Sequence, residues 1–190
     1  MRQVRLAAAL TIGAAVLTGC SSEQQANQTL PSMSSATASA DALPPLGPPD
    51  FPMPDEAREM TPEGAEALVR YYVELMDRAQ LDSTSVYVRE LSTDCDTCIA
   101  FAEGVDYYAE RSYQFVGGAI RLDAITAAGF STSKADFAIS LHQEALDVLG
   151  PDGSPLPNER ADAADYPGSG ITTVWDRKRS SWLVRELTIA

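Results

Sequence analysis

Residues 119–126 read AIRLDAIT and residues 135–141 read ADFAISL, and in both the apolar side chains fall at every second position. Ile120, Leu122 and Ala124 alternate with Arg121 and Asp123, and Phe137, Ile139 and Leu141 alternate with Asp136 and Ser140. A period of two places alternate residues on opposite faces, so both segments predict strands with one face buried. By Leu146 and Val148 the apolar parity has flipped, which predicts a bulge near His142 to Glu144. Gly150, Pro151, Asp152 and Gly153 read as a turn. The polar residues 155–170 read as part of a strand followed by a surface loop. Residues 171–175 and 182–189 predict a closing hairpin across 176–179, with Trp175 and Trp182 paired over it.

Upstream the period lengthens. Ala65, Leu68, Val69, Tyr72, Leu75, Met76 and Ala79 recur at three- and four-residue steps, which predicts an amphipathic helix over 62–80. Thr61 suits its N-cap, Pro62 its first turn, and Glu63 and Glu66 the positive end of its dipole. Residues 81–91 fit a short helix or an irregular crossing equally well. A further helix is expected over 97–113, burying Ile99, Ala102, Val105, Tyr108 and Ala109.

Helices followed by a run of strands predict an α+β domain with an antiparallel sheet covered on one face. Residues 55–190 are expected to form that single domain. This order of elements resembles the cone-shaped fold of the nuclear-transport-factor-2-like and ketosteroid-isomerase-like superfamily. The resemblance implies N-terminal helices packed in the concavity of a bent sheet. The segments Met53-Pro54-Asp55-Glu56-Ala57, Thr61-Pro62-Glu63-Gly64-Ala65 and Asp94-Cys95-Asp96-Thr97-Cys98 also resemble a family of uncharacterised actinobacterial lipoproteins. That likeness implies a location and no mechanism.

Location is also written at the N-terminus. Arg2 and Arg5 precede an apolar run over 6–16, too short for the roughly twenty residues that span a bilayer. The run ends in Leu17-Thr18-Gly19-Cys20, which resembles the bacterial lipoprotein signal. The resemblance implies a signal peptide over 1–19 and diacylglycerol on Cys20, which becomes the new N-terminus. Two acyl chains, at about 0.8 kcal/mol per buried CH₂, anchor far better than one. The chain is then held on the extracytoplasmic face of the cell membrane. Residues 21–54, first rich in Ser and Ala and then in Pro, are expected to be a disordered spacer.

Charge removes one class of partner. The chain carries −13, and cleavage would take Arg2 and Arg5 from it. Nucleic acid binding requires Lys and Arg against phosphates, so it is not expected. A docking surface for anionic headgroups is not expected either, and the membrane is reached through the lipid on Cys20.

Few residues are arranged for chemistry. Cys95 and Cys98 lie three apart at the start of the second long helix. Outside the reducing cytosol they are expected to form a structural disulfide. Thiol–disulfide exchange is the alternative, opposed by the negative charge of Asp94 and Asp96 and by the missing βαβ context. His142 is the only histidine, so no histidine cluster for zinc or iron is expected, and no cofactor. Residues 152–165 lack the spacing of a calcium loop, and Gly117-Gly118 reads as a strand entry or bend rather than a phosphate cradle. No catalytic residue is assigned.

Two functions are carried forward beside the exchange reading. One is a non-enzymatic interaction or accessory domain of the cell envelope, with an envelope protein as partner. The other is a binder of a small apolar ligand, or an isomerase-like enzyme, using a cavity of the cone fold. The enzyme reading predicts a cavity acid, Asp106, Asp123 or Asp136, with a raised pKa.

Overall fold

The computed structural model describes residues 43–190. The expected signal peptide over 1–19, Cys20 and the serine-rich part of the expected spacer lie outside the described residues. Along the described chain, a single 3-10 turn, Asp55–Arg58, precedes three helices, α1 Pro62–Leu81, α2 Val86–Glu90 and α3 Asp96–Glu110. Seven strands follow: β1 Gln114–Gly117, β2 Ile120–Ser131, β3 Lys134–Gln143, β4 Leu146–Leu149, β5 Pro155–Ala161, β6 Ala164–Asp176 and β7 Ser181–Thr188.

The expected boundary at residue 55 needs correcting. Leu46 and Met53, each 6% exposed, belong to the core. The Met53 N–H donates to the Leu46 carbonyl at 2.9 Å, folding the proline-rich stretch onto the domain. Gly47 has φ +83°, and a Cβ there would meet the Tyr71 hydroxyl. Averaged composition makes this stretch look like a spacer. Two apolar side chains and one permissive glycine, which composition does not weigh, are what pack it.

Helix α1 starts as its sequence dictates, with Thr61 Oγ1 accepting the Gly64 N–H at 3.0 Å and Pro62 in the first turn. The whole expected stripe is buried, and so are Tyr71, Val73 and Gln80. One face meets the sheet and another is covered by residues 46–58, so α1 is buried beyond a single stripe. Helix α3 is shorter than expected, ending at Glu110. It buries only Cys98, Ala102 and Val105. Ile99, expected inside, is 41% exposed.

All strand pairings are antiparallel and form two ladders, β2-β3-β6-β7 and β1-β4-β5. The ladders meet at a bend. Gly117 and Gly118 take φ +73° and +76° there. Across the bend the Gly118 N–H donates to Ala145 and the Glu144 N–H to Ala119, both at 2.9 Å. The parity flip read near His142 to Glu144 is therefore this bend, where the chain leaves one ladder for the other, and not a bulge within one strand. A bulge does occur in β2, between Leu122 and Ala124. It turns Ala124 outward and Ile125 inward, against the simple alternation.

Residues 155–170 hold no long surface loop. They form β5 and the first half of β6, with only two residues between the strands. Both faces of β5 are largely exposed, so it carries no apolar alternation to read. The closing hairpin is as expected: Trp175 faces Trp182 in register, ring centroids 5.5 Å apart and edge to face. The architecture is thus α+β, with helices packed on a bent antiparallel sheet.

Candidate functional site

A cavity of about 300 Å³ opens between α1, α3 and the sheet near its bend. Met76 and Gln80 of α1 form one wall, one helical turn apart. Ala100, Phe101, Gly104, Val105 and Tyr108 of α3 form another. Phe115, Ile120, Leu141 and Tyr166 close it from the strands, and His142 and Gln143 border it. The lining side chains include no Asp, Glu, Lys or Arg.

Gly104 explains part of the open space. It sits in the middle of α3, and a Cβ built on it would meet nothing within 4 Å. Polar groups stand at single points of the wall. The Tyr108 hydroxyl donates to Glu159 Oε2 at 2.6 Å. That carboxylate, followed by partial burial, pushes the Tyr108 hydroxyl up to about 12, so it remains a donor at neutral pH. Gln80 is 7% exposed and reaches the Gly118 carbonyl through Nε2 at 3.5 Å.

The cavity acid expected from the sequence is not there. Asp106 lies on another face of α3, where Ser85 Oγ donates to it at 2.6 Å and Arg89 at 2.8 Å. The Ser85 bond first, and then Arg89, hold its carboxyl below the usual range, opposite to the expected direction. Asp136 sits beside Lys134 and Thr172, and those two bonds lower its pKa as well. Asp123 is on the exposed part of β2 and does not line the cavity. An acid held charged by solvent-facing partners cannot serve as a general acid inside an apolar pocket.

Asp123 is instead brought close to His142 and Asp165, from three neighbouring strands, with one potential ligand atom of each within 4.8 Å of the others. His142 Nδ1 lies 2.6 Å from Asp165 Oδ1. The two aspartates are exposed, and the imidazole–carboxylate contact already accounts for the pairing.

Cys95 and Cys98 are joined by a disulfide across the first turn of α3. Cys95 is also the N-cap, its Sγ accepting the Cys98 N–H at 3.2 Å. Each cysteine is 1% exposed. Exchange requires an attacking thiolate to reach a sulfur, and burial denies that access.

Sequence reasoning missed Gln80, Gly104 and the Tyr108–Glu159 pair as a constellation. Two signals were available: an amide four residues after Met76, on the stripe of α1, and a glycine interrupting the middle of α3. No described helix is long and apolar enough to cross a membrane.

No protein-family profile and no curated protein matches this chain. Among solved structures it is similar to the intermembrane space region of the chloroplast protein ARC6, with a TM-score of 0.46 and 16% identity over 69% of this chain and 97% of that one. It is also similar to an uncharacterised protein with a cystatin-like fold from Caulobacter vibrioides, with a TM-score of 0.41, 13% identity and coverage of 67% and 90%. A nuclear transport factor 2 (NTF2-like) superfamily protein from Salmonella enterica gives a TM-score of 0.42 and 12% identity, covering 67% and 87%.

Proposed function

We propose that this protein is a membrane-tethered, extracytoplasmic binding domain that takes a small, mainly apolar molecule into the cavity between α1, α3 and the sheet. One observation carries the binding half of this reading. A cleft of about 300 Å³ between the helices and the sheet is walled by Met76, Phe101, Val105, Phe115, Leu141 and Tyr166. Small-molecule sites are concave and mainly apolar with a few polar groups, and a cleft of this size and lining fits such a ligand. Turnover is not part of the reading, because the acids that would drive it face solvent. The tether is supported by the order Arg2, Arg5, apolar run and Leu17-Thr18-Gly19-Cys20. An envelope protein that receives or delivers the ligand is the partner such a tether suits.

Two measurements test the two halves. Titration with naphthalene should give saturable one-site binding, and none up to its aqueous solubility would overturn the binding reading. Cys20→Ser should move the mature protein from the membrane fraction to the soluble one; retention in the membrane would overturn the tether.

A further inference from the structure

Gln80 is a buried amide at a position where the α1 stripe otherwise carries apolar side chains. Its one hydrogen bond, Nε2 to the Gly118 carbonyl, has a length of 3.5 Å, at the weak end for such contacts. Its Oε1 has no partner among the described residues. Among the described residues no fully enclosed side-chain oxygen or nitrogen is unpartnered, so Oε1 borders open volume, and the volume that Gln80 lines is the cavity. Oε1 is therefore reachable from the cavity, and a ligand donor placed there would give it a direct hydrogen bond, a net gain of about 0.5–1.5 kcal/mol.

We infer that Gln80 is the specificity-determining residue of this cavity, and that the ligand is an uncharged, ring-sized apolar molecule carrying one hydroxyl or N–H that donates to Gln80 Oε1. The inference rests on the binding reading above and names the ligand's chemistry. Neutrality follows from the wall, which offers a charged ligand no Lys, Arg, Asp or Glu to offset its desolvation, and whose one imidazole, His142, is held by Asp165 at 2.6 Å. Size follows from the volume, at the lower end for small-molecule sites. The rings of Phe101, Tyr108, Phe115 and Tyr166 line the space and suit a flat apolar body. Tyr108 is already engaged with Glu159 and His142 with Asp165, and of the two lining amides Gln80 is the buried one while Gln143 is half-buried.

The test is a calorimetric titration of the full chain with four probes of one shape: naphthalene, naphthol, methoxynaphthalene and naphthoate. The inference expects naphthol to bind about tenfold more tightly than naphthalene, roughly 1.4 kcal/mol. Methoxynaphthalene, which cannot donate, should fall back toward naphthalene, and naphthoate should bind most weakly. In Gln80→Met, of similar shape and without the amide, the ratio of naphthol to naphthalene affinity should shrink to less than about threefold. Naphthalene binding with no naphthol preference, a preference that survives Gln80→Met, or naphthoate binding as tightly as naphthol would each overturn the inference and leave the apolar cavity reading intact. Failure of all four probes would overturn that reading with it. Should Gln80→Met not fold, the comparison of naphthol with methoxynaphthalene on the unaltered chain decides the matter alone.

Discussion

The ring of Phe51 lies stacked on that of Tyr71, centroids 4.9 Å apart, and the Tyr71 hydroxyl donates to the Phe51 carbonyl at 2.7 Å. Arg78 covers the same Phe51 ring at 5.2 Å and holds Asp50 at 2.8 Å. A stretch rich in proline is thereby fastened to the outer side of α1, opposite the sheet. This means that the folded domain begins about ten residues before the first helical turn.

A stability measurement follows from that fastening. A chain beginning at residue 55 loses Leu46 and Met53 from the core, each buried side chain contributing about 1.5–3 kcal/mol. It should unfold at clearly lower urea than a chain beginning at residue 43. Tyr71→Phe keeps the stack and removes one hydrogen bond, so its loss should be about 1 kcal/mol. Equal midpoints for the two truncations would show that residues 43–54 add nothing to folding.

Gly104 gives a second prediction with opposite signs for stability and binding. Glycine inside a helix costs roughly 0.5–1 kcal/mol against alanine, and here a Cβ meets no neighbour. Gly104→Ala should therefore raise the melting temperature. Gly104→Leu should keep the fold while placing its side chain in the cavity, weakening naphthalene binding at least tenfold by calorimetry. Full naphthalene affinity in a folded Gly104→Leu protein would place the ligand elsewhere.

The parts of the fold that were legible are those whose signal is local. Thr61, Pro62 and the stripe from Ala65 to Ala79 mark α1 because cap and period lie within one segment. Ala135 to Leu141 mark β3 because only one of its faces is buried, and Trp175 and Trp182 announce their pairing through a short turn. The glycines at 117 and 118 announced a strand entry or bend, but the flipped parity across from them did not say so, because a bulge flips parity in the same way. β5 was hidden because both its faces are wet. The cavity is not local at all. Met76, Gln80, Gly104, Leu141 and Tyr166 come from four elements, and nothing in their spacing shows that their side chains stop short of one another.

The Cys95–Cys98 disulfide closes a loop of four residues. In the chain-entropy account that is worth roughly 2 kcal/mol, less than a long loop would give. Reduction under mild denaturant should lower the unfolding midpoint modestly and leave the far-UV circular dichroism of the native baseline unchanged. In native buffer, burial of both sulfurs should keep glutathione from exchanging within hours, read by mass spectrometry of trapped thiols. Rapid mixed-disulfide formation without denaturant would restore the exchange reading.

Asp106 supplies a pH dependence whose sign is fixed by its partners. Ser85 and Arg89 depress its folded pKa below the ordinary carboxylate value, so the folded state favours the charged form more than the unfolded chain does. Its stabilising contribution is complete above the unfolded pKa of about 3.9 and disappears as the pH falls through the lower folded value. Asp106→Asn removes the charge at every pH. The variant should therefore be less stable than the unaltered chain by a constant margin between pH 5 and 7, and the margin should close as the pH drops below about 4. The side chain is 42% exposed, so the margin is small and should shrink further in high salt. Urea midpoints for the two proteins across that pH range check this, and a margin that widened in acid would mean that the Arg89–Asp106 contact does not favour the charged carboxylate.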